Sequence, residues 1–137
     1  MIRELAAIPL PASAESTSFW QGVERGMVTL PRCPVCKRWQ WYPKPTGSCC
    51  GATEFEWVDL PGTGSVFTYT VVHRPFLAEL SAALPLTVAL ITLDGAEEVR
   101  FVGTLAIDQP SVGQRVRLRV ERGADRPVPV FCADDDD

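Results

Sequence analysis

The chain has 137 residues, a length that fits one domain or two very small ones that share a core. Apolar residues make up 46% and charged residues 22%, which is the composition of a globular protein and excludes an intrinsically disordered chain. The formal net charge of −4 equals the charge of the run Asp134–Asp137, so the rest of the chain is close to neutral. A near-neutral domain argues against a general nucleic-acid binder, which normally carries a basic excess.

The sequence also limits helix length and membrane association. Twelve prolines and ten glycines interrupt the chain so often that short strands and turns are expected. The most apolar run, AALPLTVALI, is broken by Pro85 and is far shorter than the roughly 20 residues of a membrane-spanning helix. The N-terminal MIRELAAIPLPASAES has Glu4 and two prolines where a signal peptide is apolar. We therefore expect no membrane segment and a cytoplasmic protein.

A short helix is expected in the stretch STSFWQGVERGMVTL. Ser18 and Gln21 have the spacing of a capping box, and Gly26 can end the helix. The residues that share its apolar face are Phe19, Trp20 and Val23. Because a helix of two or three turns is not stable alone, this face must dock on the rest of the domain or on another chain.

Four of the five cysteines lie between positions 33 and 50. Cys33 and Cys36 form a CxxC pair, and Cys49 and Cys50 follow as neighbours. In a reducing compartment clustered cysteines more often bind metal than form disulfides, and four thiolates without a nearby histidine predict a closed, structural zinc site. A ribbon of about thirty residues needs such a metal because it buries little apolar surface. The alternative is that Cys33, Cys36 and one cysteine of the adjacent pair are remnants of a former site.

The remainder of the chain alternates strand-like runs with turn signals. EFEWVDL alternates acidic and aromatic residues, PGTG marks a turn, and the runs SVFTYTVVHRP, LPLTVALITLDG, EEVRFVGTLAI and GQRVRLRVERG follow. In the last run three arginines alternate with apolar residues, which is typical of a strand with one solvated face. These arginines are Arg115, Arg117 and Arg119. About five short antiparallel strands after Pro61 predict a small barrel, and the five-stranded OB-fold is the natural candidate.

The order of these features resembles a known family. SFWQGVERGMVTLPRCPVCKRWQWYPK runs from a short aromatic helix through a cysteine knuckle to an aromatic-Tyr-Pro step. CGATEFEWVDLPGTGSVFTYTVVHRP continues with Cys-Gly, Trp-Val, Gly-x-Gly and a strand that ends in His-Arg-Pro. Together, over about residues 16–132, they resemble the acyl-CoA-associated OB-fold family, long catalogued as a domain of unknown function. The resemblance implies a mainly β fold with a short N-terminal helix, a rubredoxin-like zinc ribbon and a five-stranded OB-fold barrel.

The resemblance also divides the chain into four segments. We expect an N-terminal segment with the short helix at 1–27, the zinc ribbon at 28–57, the OB-fold at 58–132 and an acidic tail at 133–137. The family's usual third metal ligand aligns near Gly47, two residues before Cys49. Ligation of Zn²⁺ by the adjacent pair therefore rests on the residues of this chain rather than on the family pattern.

In function, the resemblance implies an accessory subunit rather than a self-sufficient enzyme. Members of the family look like partners of thiolase-fold enzymes, including lipid-transfer-protein-like thiolases that perform retro-aldol cleavage in steroid side-chain degradation. Others accompany archaeal thiolase and HMG-CoA synthase complexes and help to hold the CoA portion of a substrate. We therefore expect a hetero-oligomer with a thiolase-fold subunit, acyl-CoA as ligand, structural Zn²⁺ and no catalytic residue in this chain.

Several side chains are candidates for contact with CoA or a partner. His73, the single histidine, lies beside Arg74 at a strand end, and the bidentate donors of arginine suit a phosphate. Lys37 and Arg38 flank the first cysteine pair. Exposed aromatic side chains of the helix and ribbon are candidates for partner contact. They are Phe19, Trp20, Trp39 and Trp41. The alternatives are a His73 that satisfies a backbone carbonyl and a basic pair that is solvated surface.

Two other functions are considered. A nucleic-acid module would use the arginine face of the last run together with Phe67 and Tyr69, because zinc ribbons and OB-folds bind single strands through aromatic stacking and a basic groove. The sequence pI of about 5.0 and the acidic tail argue against it. An iron-binding electron carrier of the rubredoxin type is the third possibility, which the irregular second cysteine pair disfavours.

Overall fold

The computed structural model describes residues 16–42, 54–75, 78–123 and 127–134. In chain order its elements are helix α1 (Thr17–Glu24), strands β1 (Val28–Arg32), β2 (Glu56–Leu60) and β3 (Thr63–Val72), a 3₁₀ helix (Ala78–Ala83), and strands β4 (Leu86–Leu93), β5 (Arg100–Leu105), β6 (Arg115–Glu121) and β7 (Val128–Ala133). The predicted mainly β fold with a short helix is confirmed. None of the helices in these ranges has the length and apolar character needed to cross a bilayer.

Strands β3 to β7 close into a five-stranded barrel in the order β3-β4-β5-β7-β6. All neighbours are antiparallel except β5 and β7, which pair in parallel at Leu105 and Phe131. The chain closes tightly around Phe131, since a Cβ at Gly103 would lie 2.8 Å from its ring. This strand order is that of an OB-fold, and the predicted barrel is confirmed.

The segment before the barrel forms a two-stranded antiparallel sheet. Strand β1 pairs with β2 along its whole length, from Val28 opposite Leu60 to Arg32 opposite Glu56. The boundary that the sequence places between residues 57 and 58 therefore falls inside β2, and the barrel begins at Thr63. Trp39 adds an isolated bridge to Arg32 and extends this small sheet toward the cysteine turn.

Helix α1 differs from the expectation at its start and agrees with it at its end. Ser16 occupies the N-cap position without a side-chain cap hydrogen bond, and Ser18 lies inside the helix, so the predicted capping box is wrong. At the other end Gly26 has a φ of 78°, and the amides of Gly26 and Met27 donate to the carbonyls of Val23 and Gly22, both at 2.9 Å. This is a Schellman termination, in which a left-handed glycine lets two orphan carbonyls be satisfied.

One hydrophobic core joins the helix, the two-stranded sheet and the barrel. Phe19 and Val23 of α1 and Leu30 of β1 are buried in the same cluster as Ile91 and Phe101 of the barrel. The two-stranded sheet is thus not an independent unit, because its inner face is completed by barrel side chains. The position of the cysteine turn relative to the barrel is fixed by this shared core.

Candidate ligand and partner site

The CxxC sequence forms a tight turn directly after β1. The Cys33 amide donates to the carbonyl of Arg38 at 2.8 Å, and the Lys37 amide donates to the carbonyl of Cys33 at 2.9 Å. Lys37 has a φ of 63°, in the left-handed region that few non-glycine residues adopt. The Cys36 amide donates to Sγ of Cys33 at 3.5 Å. The turn thus holds both cysteines in one short loop and points a backbone N–H at sulfur.

These two cysteines fit one half of a tetrahedral zinc site. Cys33 is buried and Cys36 is exposed. An N–H donor directed at sulfur stabilises negative charge there, as a metal-bound thiolate requires. The predicted ligands Cys49 and Cys50 lie outside the described residues, and within the described ranges no group of three metal-binding side chains occurs. Binding of zinc by all four cysteines therefore stays a prediction.

Aromatic rings fill the junction between helix α1, the residues that follow the cysteine turn, and the barrel. The ring of Trp41 stacks on Phe101 at a centroid distance of 5.4 Å and lies 5.0 Å from Phe19. Phe19 also lies 5.9 Å from Phe101 and is only 6% exposed. The expectation of an exposed Phe19 that contacts a partner is therefore corrected, because the helix uses this ring to dock on its own barrel. Trp20 and Trp41 are half-buried against the same core.

Trp39 connects the cysteine turn to the turn between β4 and β5. Its amide donates to Oε1 of Glu98 at 3.3 Å, and the guanidinium of Arg32 lies 5.2 Å from its ring centroid. A cavity of about 440 Å³ opens at this connection. Its lining includes Arg38, Trp39, Trp41, Phe55, Glu98 and Arg100. The lining thus includes three aromatic residues and two arginines together with the carboxylate of Glu98, and the aromatic and arginine residue types suit a flat ring that carries phosphate.

Arg100, at the start of β5, is a residue of this cavity that the sequence did not single out. One of its guanidinium nitrogens donates to the Glu97 carbonyl at 2.6 Å, and the group lies 4.3 Å from the Phe67 ring centroid. The residue is the fourth of the run EEVRFVGTLAI, where it resembles any arginine on a solvated strand face. Its proximity to the cysteine turn depends on how that turn packs on the barrel. No local sequence pattern predicts this packing.

The two basic residues beside the cysteines have different surroundings. Nζ of Lys37 lies 3.2 Å from Oε1 of Glu56, and Nε of Arg32 lies 2.8 Å from the same oxygen. Hydrogen bonds from Arg32 and then from Lys37 lower the pKa of the Glu56 carboxyl below its ordinary value. Arg38 instead lines the cavity. Of this predicted pair, Arg38 is therefore the better placed to meet a ligand.

His73 and Arg74 lie on a different part of the surface. Both are exposed and follow the end of β3, where Val72 pairs with Leu86 at the beginning of β4. The cavity lies beyond the opposite end of β4, at residues 98–100. The structure thus separates the predicted basic residues into two regions, one at the cavity and one at the far end of the β3-β4 hairpin.

The arginine face of β6 is balanced by carboxylates. Arg115 forms a two-nitrogen ion pair with Asp94 (Nη1 to Oδ1 at 3.0 Å), and Nε of Arg119 lies 2.7 Å from Oε1 of Glu121. Nε of Arg117 is 3.9 Å from Oδ1 of Asp134. Since each guanidinium on this strand has an anionic neighbour, the face does not form the basic groove that the nucleic-acid hypothesis needs.

The closed barrel, preceded by a helix and a small two-stranded sheet, defines the class of protein: an OB-fold domain with an N-terminal extension that shares its core. Residues 57–121 match the family described as "ChsH2, C-terminal OB-fold domain", so this part of the chain is similar to that family. The family resemblance inferred from the sequence is thereby confirmed.

Two solved structures and one curated protein extend the comparison. The structure titled "Ltp2-ChsH2(DUF35) aldolase" contains a chain with a TM-score of 0.76 and 26% identity, matched over 91% of this chain and 98% of that chain. A DUF35-family protein of unknown function from Sulfolobus solfataricus has a TM-score of 0.62 over 90% of this chain and 87% of that one, and at 16% identity it shows the fold alone. A probable enoyl-CoA hydratase alpha subunit from Thermomonospora curvata is 30% identical over 126 residues. The match covers 90% of this chain but only 39% of that relative, so the chain spans about two fifths of its length.

Proposed function

We propose that this chain is a non-catalytic accessory subunit of an acyl-CoA-processing complex. The observation that carries the proposal is the likeness, over 98% of that chain's length, to a chain of an Ltp2-ChsH2(DUF35) aldolase. The curated relative is named as a subunit of an enoyl-CoA hydratase, a different reaction on a CoA thioester. Two relatives with different reactions share this domain, which supports a role in assembly and CoA positioning rather than in one chemical step.

In this proposal the partner is a thiolase-fold enzyme of the lipid-transfer-protein-like class, with steroid side-chain retro-aldol cleavage as the candidate reaction. Bond cleavage then takes place in the partner. This chain contributes a rigid surface whose aromatic and basic side chains contact the CoA portion. The cavity at Trp39, with Arg38 and Arg100 beside it, is the proposed CoA contact, because guanidinium groups suit phosphates and indole rings suit adenine.

We further propose that Zn²⁺ is held by Cys33, Cys36, Cys49 and Cys50. The hydrogen bond from the Cys36 amide to Sγ of Cys33 supports this assignment. A closed four-cysteine site supplies a structural cross-link and no open position for substrate. Its effect would be to fix the turn that carries Arg38 and Trp39 at the mouth of the cavity.

Purification of the tagged chain from its native extract tests the proposal. We expect a thiolase-fold enzyme in near-stoichiometric amount, identified by mass spectrometry, and acyl-CoA cleavage only when both proteins are present. Turnover of an acyl-CoA by the isolated chain would contradict the accessory role. Recovery of RNA that high salt removes would instead support a nucleic-acid module.

A matched pair of variants tests the CoA contact within that complex. Arg38→Ala should raise the KM for acyl-CoA at least about tenfold, because a hydrogen bond to a charged group contributes roughly 1.5–3 kcal/mol. Lys37→Ala removes a neighbouring positive charge whose nitrogen lies 3.2 Å from Glu56, and its KM should stay within about twofold. Equal effects of the two variants would rule out a specific contact at Arg38.

A further inference from the structure

The second half of β3 extends beyond the closed part of the barrel. Strand β6 pairs with β3 only from Thr63 to Ser65, and the turn at Gly113 and Gln114 then exchanges hydrogen bonds with Val66. From residue 68 to residue 72 the described pairing of β3 is with β4 alone, after a register shift at residue 67. We name residues 67–72 the β3 arm. Within the described part of the chain, the edge of the arm opposite β4 has no strand beside it.

Both faces of the β3 arm are exposed to solvent. Residues 67–71 are all exposed, including Phe67 at 48%, Tyr69 at 37% and Val71 at 36%. Because successive strand residues point to opposite faces, this run exposes the sheet on both sides. On the face opposite Tyr69 and Val71, Thr68 is paired with Leu90 of β4, and Leu90 is paired with Val102 of β5, which is 48% exposed.

Natural proteins protect such an edge with lysine, proline, a short strand or an inward-pointing charge. The arm sequence, FTYTVV, contains none of these residues and consists of β-branched and aromatic types that favour strand pairing. Its bulge lies at Phe67, where the arm begins, and leaves the five residues after it in regular register with β4. An exposed, pairing-competent edge of this kind indicates that another strand covers it in the working protein.

The charges around the arm select between possible occupants. Residues 67–75 contain His73 and Arg74 and no acidic residue, and the guanidinium of Arg100 lies over Phe67. If two copies paired antiparallel with their arms overlapping along the full length of residues 67–72, Val72 of one copy would lie opposite Phe67 of the other. Arg74 of the first copy would then approach Arg100 of the second copy, which has the same charge. The backbone of the first copy beyond Val72 would also collide with the turn of the second copy that already hydrogen-bonds to Val66. A segment that carries a carboxylate has no such conflict.

We propose that the β3 arm binds an extended segment of the partner enzyme by strand addition. The segment has alternating apolar side chains that pack on Tyr69 and Val71, and a carboxylate that meets Arg74. Main-chain hydrogen bonds supply affinity in this mode, and the alternating side chains supply specificity. The inference rests on the proposed function, because it requires an enzyme partner, and it adds the surface and the kind of contact.

Hydrogen exchange tests the inference directly on the wild-type proteins. The probe is the full chain in complex with the thiolase-fold enzyme that co-purifies with it, compared with the full chain alone. Those amides of residues 67–72 that point away from β4, and so have no ladder partner in the free chain, should exchange at least about tenfold more slowly in the complex. Unchanged exchange of these amides in a stable complex would overturn the inference.

Two valine variants form a matched test. Val71→Lys places a charge on the arm, whereas Val120→Lys places the same charge on β6 at a valine that is also 36% exposed. The arm variant should weaken the complex at least about tenfold, because edge lysines block strand pairing, and the β6 variant should leave the affinity within about twofold. Equal affinities of the two variants would count against the arm.

The outcomes separate the two proposals. If no thiolase-fold enzyme binds the chain, the proposed function fails and the strand-addition inference fails with it. If the enzyme binds while the arm stays unprotected, only the inference fails. If the isolated chain is a dimer that Val71→Lys dissociates, the occupant of the edge is a second copy and the inference is wrong.

Discussion

Phe19 is the residue whose removal tests most directly whether the helix, the two-stranded sheet and the barrel share one core. It is 6% exposed, and its ring centroid lies 5.0–5.9 Å from those of Trp20, Trp41 and Phe101. Truncation of a buried phenylalanine to alanine costs about 3–5 kcal/mol, through lost transfer free energy and the cavity left behind. We expect Phe19→Ala to fall in this range, a large part of the roughly 5–15 kcal/mol that stabilises a typical domain.

Urea unfolding of the full chain measures this cost. With a slope of about 2 kcal/mol per molar urea, the loss corresponds to a midpoint about 1.5–2.5 M lower. Far-UV circular dichroism reports the barrel, and tryptophan fluorescence reports the junction, because the Trp41 ring lies against Phe19. Coincident transitions in the two signals are expected if helix and barrel unfold together.

Phe67→Ala is the matched control, because it removes the same atoms from a side chain that is 48% exposed. Its main described contact is with the Arg100 guanidinium, a cation-π interaction worth about 0.5–1 kcal/mol at an exposed site. If Phe19→Ala lowered the midpoint no more than Phe67→Ala does, the shared core would be refuted. A fluorescence change without loss of barrel stability would mean that the helix docks without contributing to the fold.

Three further perturbations have defined outcomes. Hydrogen bonds from Arg115 and then Thr63 lower the pKa of Asp94 below its ordinary 3.8. The stability that this carboxylate adds is therefore fully present above pH 3.8 and is lost as the pH falls through the folded pKa. In urea titrations Asp94→Asn should destabilise the chain at pH 7, and progressively less as the pH is lowered below 3.8. Cys36→Ser should lower bound zinc from about one per chain, measured by plasma emission spectrometry, because it removes a thiolate of the proposed site. Gly22→Ala should lower the unfolding midpoint although alanine favours helix, since its Cβ would overlap the Thr29 hydroxyl of β1.

Each of these changes has a control of the same chemistry. Asp108→Asn alters an exposed aspartate before β6, and a stability loss with the same pH dependence as that of Asp94→Asn would contradict the role of the ion pair. Cys132→Ser changes a cysteine of β7 and should keep the zinc content, so equal loss in both cysteine variants would oppose the proposed ligands. Gly26→Ala places a Cβ in open space but at a φ of 78°, and should cost only about 1 kcal/mol. If Gly26→Ala lowered the free energy of unfolding more than Gly22→Ala does, the close approach of the helix to β1 at Gly22 would be contradicted.

The strands and turns of this protein follow from short-range patterns in its sequence. The alternation of Ala89, Ile91 and Leu93 along β4 defines its buried face, and it is a local property that the barrel preserves. Gly26 ends the helix as predicted, because only its own φ and the preceding carbonyls are involved. The capping box predicted at Ser18 and Gln21 is wrong because the helix begins at Thr17, so that Ser18 lies inside it and Ser16 takes the N-cap position without a side-chain cap hydrogen bond.

Burial of the aromatic residues was decided by packing between distant parts of the chain. Phe19 and Phe67 are both phenylalanines within strong local patterns, yet one is in the core and the other is half exposed. The difference depends on whether another part of the chain covers the ring, and Phe19 is covered by Trp41, which follows the cysteine turn, and by Phe101 of β5. No local sequence pattern predicts the contact between these distant residues.

The same distinction applies to charge and to the candidate site. Sequence alone determined the residue types that bind metal or phosphate and their place along the chain, since side-chain chemistry and CxxC spacing are local. Tertiary structure decided that Glu56 neighbours Lys37, that Arg100 joins Arg38 at one cavity, and that Arg74 lies at the other end of β4. The physical reason is that periodicity fixes which face a residue occupies, whereas its neighbours on that face are fixed by the closure of the barrel and by the core beneath it.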